Sequence, residues 1–285
     1  MRILITGADG QLGQELQRVL AKETLICAVW PQFDLVKPDV EQQVLAARPD
    51  VIIHAAAYTQ VDKAEEEAEH AMAVNAEGTR RVAQAASKAG ARLLYLSTDY
   101  VFDGKQETPY TETDEPHPIN VYGRSKWEGE RLALAACVNT LVVRTSWLYG
   151  THGANFVKTI MRLAGQRSEL RVVADQRGCP THVGDLAKAL AGLLRHDLRG
   201  IVHAGGSGDC TWYDLACAIV SMMGRLVTVH AISTSEANRA APRPAYSVLA
   251  NHVLTARGIS LPHWKDALAR FINDEKVQGE VKAEA

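Results

Sequence analysis

A nine-residue stretch, Ile5-Thr6-Gly7-Ala8-Asp9-Gly10-Gln11-Leu12-Gly13, constrains the fold of this chain more than any other. It follows the apolar run Ile3 to Ile5 and opens a segment with helical spacing, Gln11 to Lys22. Glycines at such a strand-to-helix turn leave backbone N–H groups open at the helix N-terminus. A pyrophosphate needs those donors, and it needs no side chain in its way. Gly7 supplies the tight turn, Gly10 the close approach, and Gly13 the contact between helix and strand. The competing reading is an ordinary strand–turn–helix, and the rest of the chain weighs against it.

Apolar runs recur at Leu25 to Val29, Val51 to Ile53, Leu93 to Leu96, Leu141 to Val143 and Ile201 to Ala204. Between them, Val40 to Ala47, Glu65 to Gly90 and Ser125 to Cys137 carry helical spacing. Strands alternating with helices predict a parallel sheet covered on both faces. The expected fold class is α/β, a Rossmann doubly wound parallel sheet with a smaller C-terminal lobe. Past residue 150 the alternation loosens. Asn155 to Gly165 and Val183 to Leu194 read as helices, and Leu170 to Ala174 as a strand. Ser207 to Asn273 is irregular, with prolines at 242, 244 and 262. These breaks assign 1–150 and 179–206 to a dinucleotide-binding domain. They assign 151–178 and 207–273 to a substrate-binding lobe over one sheet edge. The charged and small residues of 274–285 read as a frayed tail.

Composition excludes several classes. Hydrophobic residues are 47% and charged residues 22% of 285, as in ordinary globular proteins. A formal net charge of −2 gives no reason to expect nucleic acid or an anionic membrane as partner. No apolar run approaches the length of a bilayer span. The five cysteines (Cys27, Cys137, Cys179, Cys210, Cys217) form no C-x-x-C pair, which argues against disulfides and structural zinc. The ten histidines contain no H-E-x-x-H, and no catalytic metal is expected. Met1 to Ile5 runs straight into a strand with no signal peptide, so a reduced, cytoplasmic location is expected.

Two features flank the glycine turn. Ala55-Ala56-Ala57 ends the third run beside the expected switch point, where small residues let the adenosine half of a dinucleotide lie flat. Packing against a helix accounts for them equally well. Asn75 is polar within a helical pattern, and it either bonds backbone near the site or faces solvent. No acidic residue directly follows Val29-Trp30, Asp34 comes later, and no arginine stands there for a 2′-phosphate. The residues therefore leave NADH and NADPH open.

Tyr122-Gly123-Arg124-Ser125-Lys126 sets a phenol and an ammonium four residues apart, on one face of a helix. Carbonyl reduction needs an acid near neutral pH, and a free phenol, with a pKa of about 10, needs a neighbouring cation to serve. The motif follows a strand ending in Ser97-Thr98-Asp99. A hydroxyl at that tip points into the ligand crevice, so Thr98 can donate to the carbonyl while Tyr122 delivers the proton. Y-x-x-x-K alone is common by chance, and so is a threonine ending a strand. Their conjunction with the glycine turn is not.

Together these segments resemble one family of extended short-chain dehydrogenase/reductases, the dTDP-4-dehydrorhamnose reductases. The resemblance also rests on Val61-Asp62-Lys63-Ala64-Glu65, Asp99 to Phe102, Asn120-Val121-Tyr122-Gly123 and Arg144-Thr145-Ser146-Trp147. Asn155-Phe156, Asp175 to Thr181, and Arg243-Pro244 with Ser247 complete it. It implies Thr98, Tyr122 and Lys126 as catalytic residues. Gly10, Gln11, Leu12, Asp34, Leu35, Ala55 to Ala57, Leu96, Tyr122 and Lys126 would line NADPH or NADH, with Gly7 and Gly13 shaping the turn. Thr98, Asp99, Trp147, Asn155 and Arg243 would meet a dTDP-4-keto-6-deoxy sugar. Arg243, between two prolines, suits bidentate contact with the diphosphate, although a lone arginine there is more often solvated.

One position narrows the chemistry. Related 4,6-dehydratases carry Asp-Glu after the strand-end threonine, whereas here Asp99 is followed by Tyr100. Elimination needs that second carboxylate and ketone reduction does not. The resemblance leaves one alternative class, a non-catalytic dinucleotide-binding subunit that regulates a methionine adenosyltransferase. It also bears on assembly. Some relatives dimerise through Mg²⁺ held by glutamates. Here Glu15 matches one, Gly184 stands at the second, and the third has no clear counterpart beyond Glu275 or Glu280. A monomer without Mg²⁺ is expected.

Overall fold

The computed structural model describes residues 1–284, with side chains as far as Glu275. Six parallel strands form the central sheet: β1 (Arg2–Thr6), β2 (Thr24–Ala28), β3 (Val51–His54), β4 (Arg92–Thr98), β5 (Thr140–Thr145) and β6 (Gly200–His203). Their order is β6-β5-β4-β3-β1-β2, so the winding reverses between β1 and β3. Neighbouring residues on each strand feed opposite faces, as the pleat requires. Ile3, Ile5, Val51, Ile53, Leu94 and Leu96 pack under the helices Gln11–Val19 and Val183–Leu193. Leu4, Ile52 and Leu93 pack with Val44, Val82, Ala86 and Ala133 from the helices Val40–Ala47, Thr79–Ala89 and Val121–Ala136.

A separate apolar core gathers Val157, Ile160, Leu170, Val172, Leu215, Ile219, Trp264, Leu268 and Phe271. It is built on a parallel pair, Glu169–Val173 with Thr228–Ile232, and on the helices Phe156–Ala164, Trp212–Met222 and Trp264–Glu284. The stretch 207–273 is thus more regular than its sequence suggests. Thr211 and Asp214 form a reciprocal capping box that starts Trp212–Met222, a signal that fixes a helix start within a stretch that otherwise reads as irregular. Leu254 and Leu261 belong to the core under the central sheet instead. The final helix continues to Glu284, where a frayed tail is expected from residue 274. The Glu280 side chain lies outside the described residues. Among the described residues, no helix is long and apolar enough to cross a membrane.

Two boundaries differ in ways that matter for the site. The expected helix over Glu65 to Gly90 is broken into Val61–Glu66, Ala68–Met72, a π-helical turn Ala73–Gly78, and Thr79–Ala89. Asn75 causes the break to be worth making. Buried inside the π turn, it accepts from Tyr58 N at 2.8 Å and donates to Tyr58 O at 3.0 Å and Ser125 Oγ at 2.9 Å. The helix expected from Ser125 begins at Val121. The Asn120 side chain caps it by accepting from Gly123 N at 2.7 Å, so Tyr122 lies in its first turn.

Candidate active site

The glycine turn is built as its spacing requires. Gly7 has φ +67°, and a Cβ there would stand 2.8 Å from the Ala56 backbone. A Cβ on Gly13 would lie 2.2 Å from Gly7 O, so only glycine lets the helix press against the turn. Gly10 is the N-cap of Gln11–Val19, and no side chain caps that end. The turn opens into a cleft of about 470 Å³ over the C-terminal ends of β1, β3 and β4. Gly7, Gly10, Gln11, Leu12, Gly13, Asp34, Leu35, Ala55, Ala56, Ala57, Leu96, Tyr122 and Lys126 all line it. Such a groove, with small residues on its floor and an uncapped helix end at its wall, fits an extended dinucleotide.

Further wall residues escaped the sequence reading: Trp30, Phe33, Tyr58, Thr59, His70, Ser97, Thr145 and Leu148. Trp30 is 72% exposed, and a large aromatic side chain just past a strand end was the available signal. The others come from segments far apart in the chain. No local pattern marks them.

At the far end of the cleft, the phenol and the amine share one helical face. Burial pushes the Tyr122 hydroxyl above the usual phenol range, a hydrogen bond with Thr98 pulls it back, and Asp99 raises it again. Lys126 is buried and donates from Nζ to Leu96 O at 2.7 Å, with the Tyr95 ring 4.2 Å away. Burial brings its pKa down to about 7, against the opposing pull of Glu130. Asp99 is buried as well, and burial raises it to about 7 although Ser247 Oγ (2.6 Å) and Thr98 Oγ1 (3.0 Å) both donate to it. Behind these groups runs a polar network that the sequence did not reveal. Glu130 accepts from Ser97 Oγ at 2.5 Å and from Arg144 Nε and Nη2 at 2.9 and 2.7 Å, all of them buried.

The residues expected to meet the substrate make contacts within the protein. Trp147, at φ +47°, stacks on Trp212 with centroids 3.4 Å apart and planes 5° from parallel. Asn155 caps the helix Phe156–Ala164 and donates to Gln11 Oε1 at 2.9 Å, which ties the lobe to the glycine turn. The Arg243 fork is already occupied, donating to both Asp62 oxygens at 3.0 and 2.9 Å and to Ala241 O. A second cleft, about 570 Å³, opens between Phe156, Trp212, Arg171, Arg239 and Arg243. Near the start of the first helix, a Cβ on Gly184 would lie 3.5 Å from Glu15 Oε2. Asp185 accepts from Arg270 at 2.6 Å and lies 3.5 Å from His182 Nδ1.

The model of the RmlD substrate binding domain matches residues 1–277. A dTDP-4-dehydrorhamnose reductase from Sinorhizobium fredii is 42% identical, the match spanning 95% of this chain and 97% of that one. The spore coat polysaccharide biosynthesis protein SpsK of Bacillus subtilis is 39% identical over 96% and 97%. A crystal structure of dTDP-4-dehydrorhamnose reductase from Bacillus anthracis in complex with NADP is 42% identical. It superposes with a TM-score of 0.93 and covers 96% of this chain and 99% of that one.

Proposed function

This chain belongs to the RmlD substrate binding domain family, and from that membership we propose that it is an oxidoreductase of dTDP-rhamnose biosynthesis. It reduces the 4-keto group of dTDP-4-dehydro-L-rhamnose, giving dTDP-L-rhamnose, with NADPH or NADH as reductant. One observation carries the reading: a single cleft joins the glycine turn to Tyr122 and Lys126. The non-catalytic adenosyltransferase subunit is not favoured, because the catalytic set is intact and the relatives carry reductase names. Oxidation of NADPH, then NADH, with dTDP-4-dehydro-L-rhamnose tests the proposal, with NMR identifying the product. No oxidation of either dinucleotide would sink it.

Residues of the glycine turn would hold the dinucleotide, which when bound would supply the hydride for C4. The remaining work falls to side chains. Tyr122 stays protonated at neutral pH because its environment is dry, so it is a proton donor to the oxygen that becomes alkoxide. Thr98, at the tip of β4, would steady the developing charge by turning its hydroxyl proton from Asp99 Oδ1, to which it donates at 3.0 Å, toward the substrate oxygen. Lys126, one turn along the same helix, lowers the cost of the phenolate left behind when it carries its proton. The lobe, with the second cleft, is where we place the nucleotide half of the substrate.

The pH profile follows from two groups. Lys126 is charged below about pH 7 and neutral above it. Asp99 does the reverse, neutral below about 7 and a carboxylate above, where it opposes a neighbouring phenolate. Both changes disfavour proton transfer as pH rises. Reduction at saturating dinucleotide should therefore fall through about pH 7, and a flat profile across that range would contradict the assignment.

We also propose that the protein is a monomer that needs no Mg²⁺. Magnesium demands several oxygen ligands, and Glu15 is paired with Arg18 at 2.8 Å, while glycine stands at position 184, where a Cβ would lie 3.5 Å from Glu15 Oε2. Light scattering and activity should be unchanged by EDTA. A dimer that dissociates in EDTA and recovers with Mg²⁺ would overturn this.

A further inference from the structure

The C-terminal tips of β4 and β5 lie side by side, with Thr98 and Thr145 in direct register. Most hydroxyls at these tips are satisfied within the protein. Ser97 donates to Glu130, Thr98 to Asp99, and Ser146 to Cys179 O at 2.7 Å. Thr145 is different. Its side-chain oxygen is buried, the residue is 5% exposed, and it has no partner among the described residues. Among the described residues it is also the only such orphan that lines the cleft with Tyr122 and Lys126. A buried hydroxyl is normally paired, so one left open on the wall of a binding cleft points to a ligand group.

Topology says which group. In a sheet wound this way a dinucleotide straddles the strand tips at the switch point. Trp30 and Asp34, beyond β2, bound the adenosine end. The β4 and β5 tips then lie under the other end, where the nicotinamide ring carries a single hydrogen-bonding substituent, its carboxamide. We propose that Thr145 is a positioning residue, its hydroxyl exchanging a hydrogen bond with the nicotinamide carboxamide and fixing the ring over Tyr122. This rests on the nicotinamide-dependent reading above.

Calorimetric titration of the whole protein with NADH and with ADP-ribose, which lacks the nicotinamide, separates the possibilities. Thr145→Val removes the hydroxyl and keeps the shape. It should weaken NADH binding about tenfold while leaving ADP-ribose binding unchanged. Thr145→Ser should restore NADH affinity. Unchanged NADH affinity in Thr145→Val would overturn the proposal. Equal losses for both ligands would also overturn it, since the site would then have been disturbed as a whole. So would a variant with normal NADH binding and a raised KM for the keto-sugar, because the hydroxyl would then serve the sugar. Wild-type protein that binds neither NADH nor NADPH would defeat the cofactor reading and the proposal with it.

Discussion

Tyr122→Phe is expected to lower turnover by about 100-fold or more while leaving dinucleotide affinity intact. The ring would stay where it is, edge-on to Tyr100 at 5.9 Å, so the cleft wall is preserved. What disappears is the proton that the alkoxide must take up. Water is a poor replacement in a site dry enough to raise the phenol and to depress the amine of Lys126. Stopped-flow reduction with pre-bound NADH isolates the chemical step, and fluorescence titration measures affinity separately. Turnover within a few-fold of wild type would remove Tyr122 from the proton path.

Glu130→Ala is expected to be the most destabilising of the single changes considered. The carboxylate joins the helix Val121–Ala136 to two strands at once, through Ser97 on β4 and Arg144 on β5. Removing it strands the Arg144 guanidinium, which is 1% exposed and already has one nitrogen, Nη1, without a partner. Breaking a buried pair from one side costs about 3–5 kcal/mol. For a chain of this size that lowers the melting temperature by on the order of 10 °C. Replacing both partners, Glu130→Met with Arg144→Met, should cost less than the single change, because no uncompensated charge is then left inside. Differential scanning calorimetry of the three variants decides it. A double variant less stable than Glu130→Ala would mean that the pair itself, rather than the orphaned charge, sets the penalty.

The legibility of this fold varied with the distance over which its signals act. Strand and helix alternation, the glycine turn and the Tyr122–Lys126 spacing are local patterns, and each central strand lies within a residue or two of its apolar run. Asn75 was visible as an anomaly, but its choice between solvent and backbone depended on Tyr58, which the π turn brings to it. The ion pair of Arg243 is hidden for a similar reason. Its partner Asp62 is 181 residues away in sequence, and nothing in a proline-bracketed arginine announces a distant carboxylate. The stacking of Trp147 on Trp212 is not visible in the sequence either, since Trp212 lies in a stretch that reads as irregular. Glu130 and Arg144 were hidden differently. Charged residues in helix and strand patterns pass for solvated faces until the layers that bury them are assembled.

The way the second core is assembled bears on synthesis at the ribosome. Five strands of the central sheet are in hand by Thr145, and β6 closes its edge by His203. The lobe, in contrast, draws Val157 and Leu170 from before that point, Leu215 and Ile219 from after it, and Trp264, Leu268 and Phe271 from the final helix. A nascent chain therefore carries all six strands of the central sheet, still without Leu254 and Leu261 of the core beneath it, while the apolar face of Trp212–Met222 waits for its cover. Domains fold from the N-terminus as they emerge, and uncovered apolar faces are where aggregation begins. The vulnerable window for this chain is the interval between the emergence of Met222 and that of Phe271, a pause of seconds at ordinary elongation rates of about 5–20 residues per second. It is the stretch over which a chaperone has most to offer.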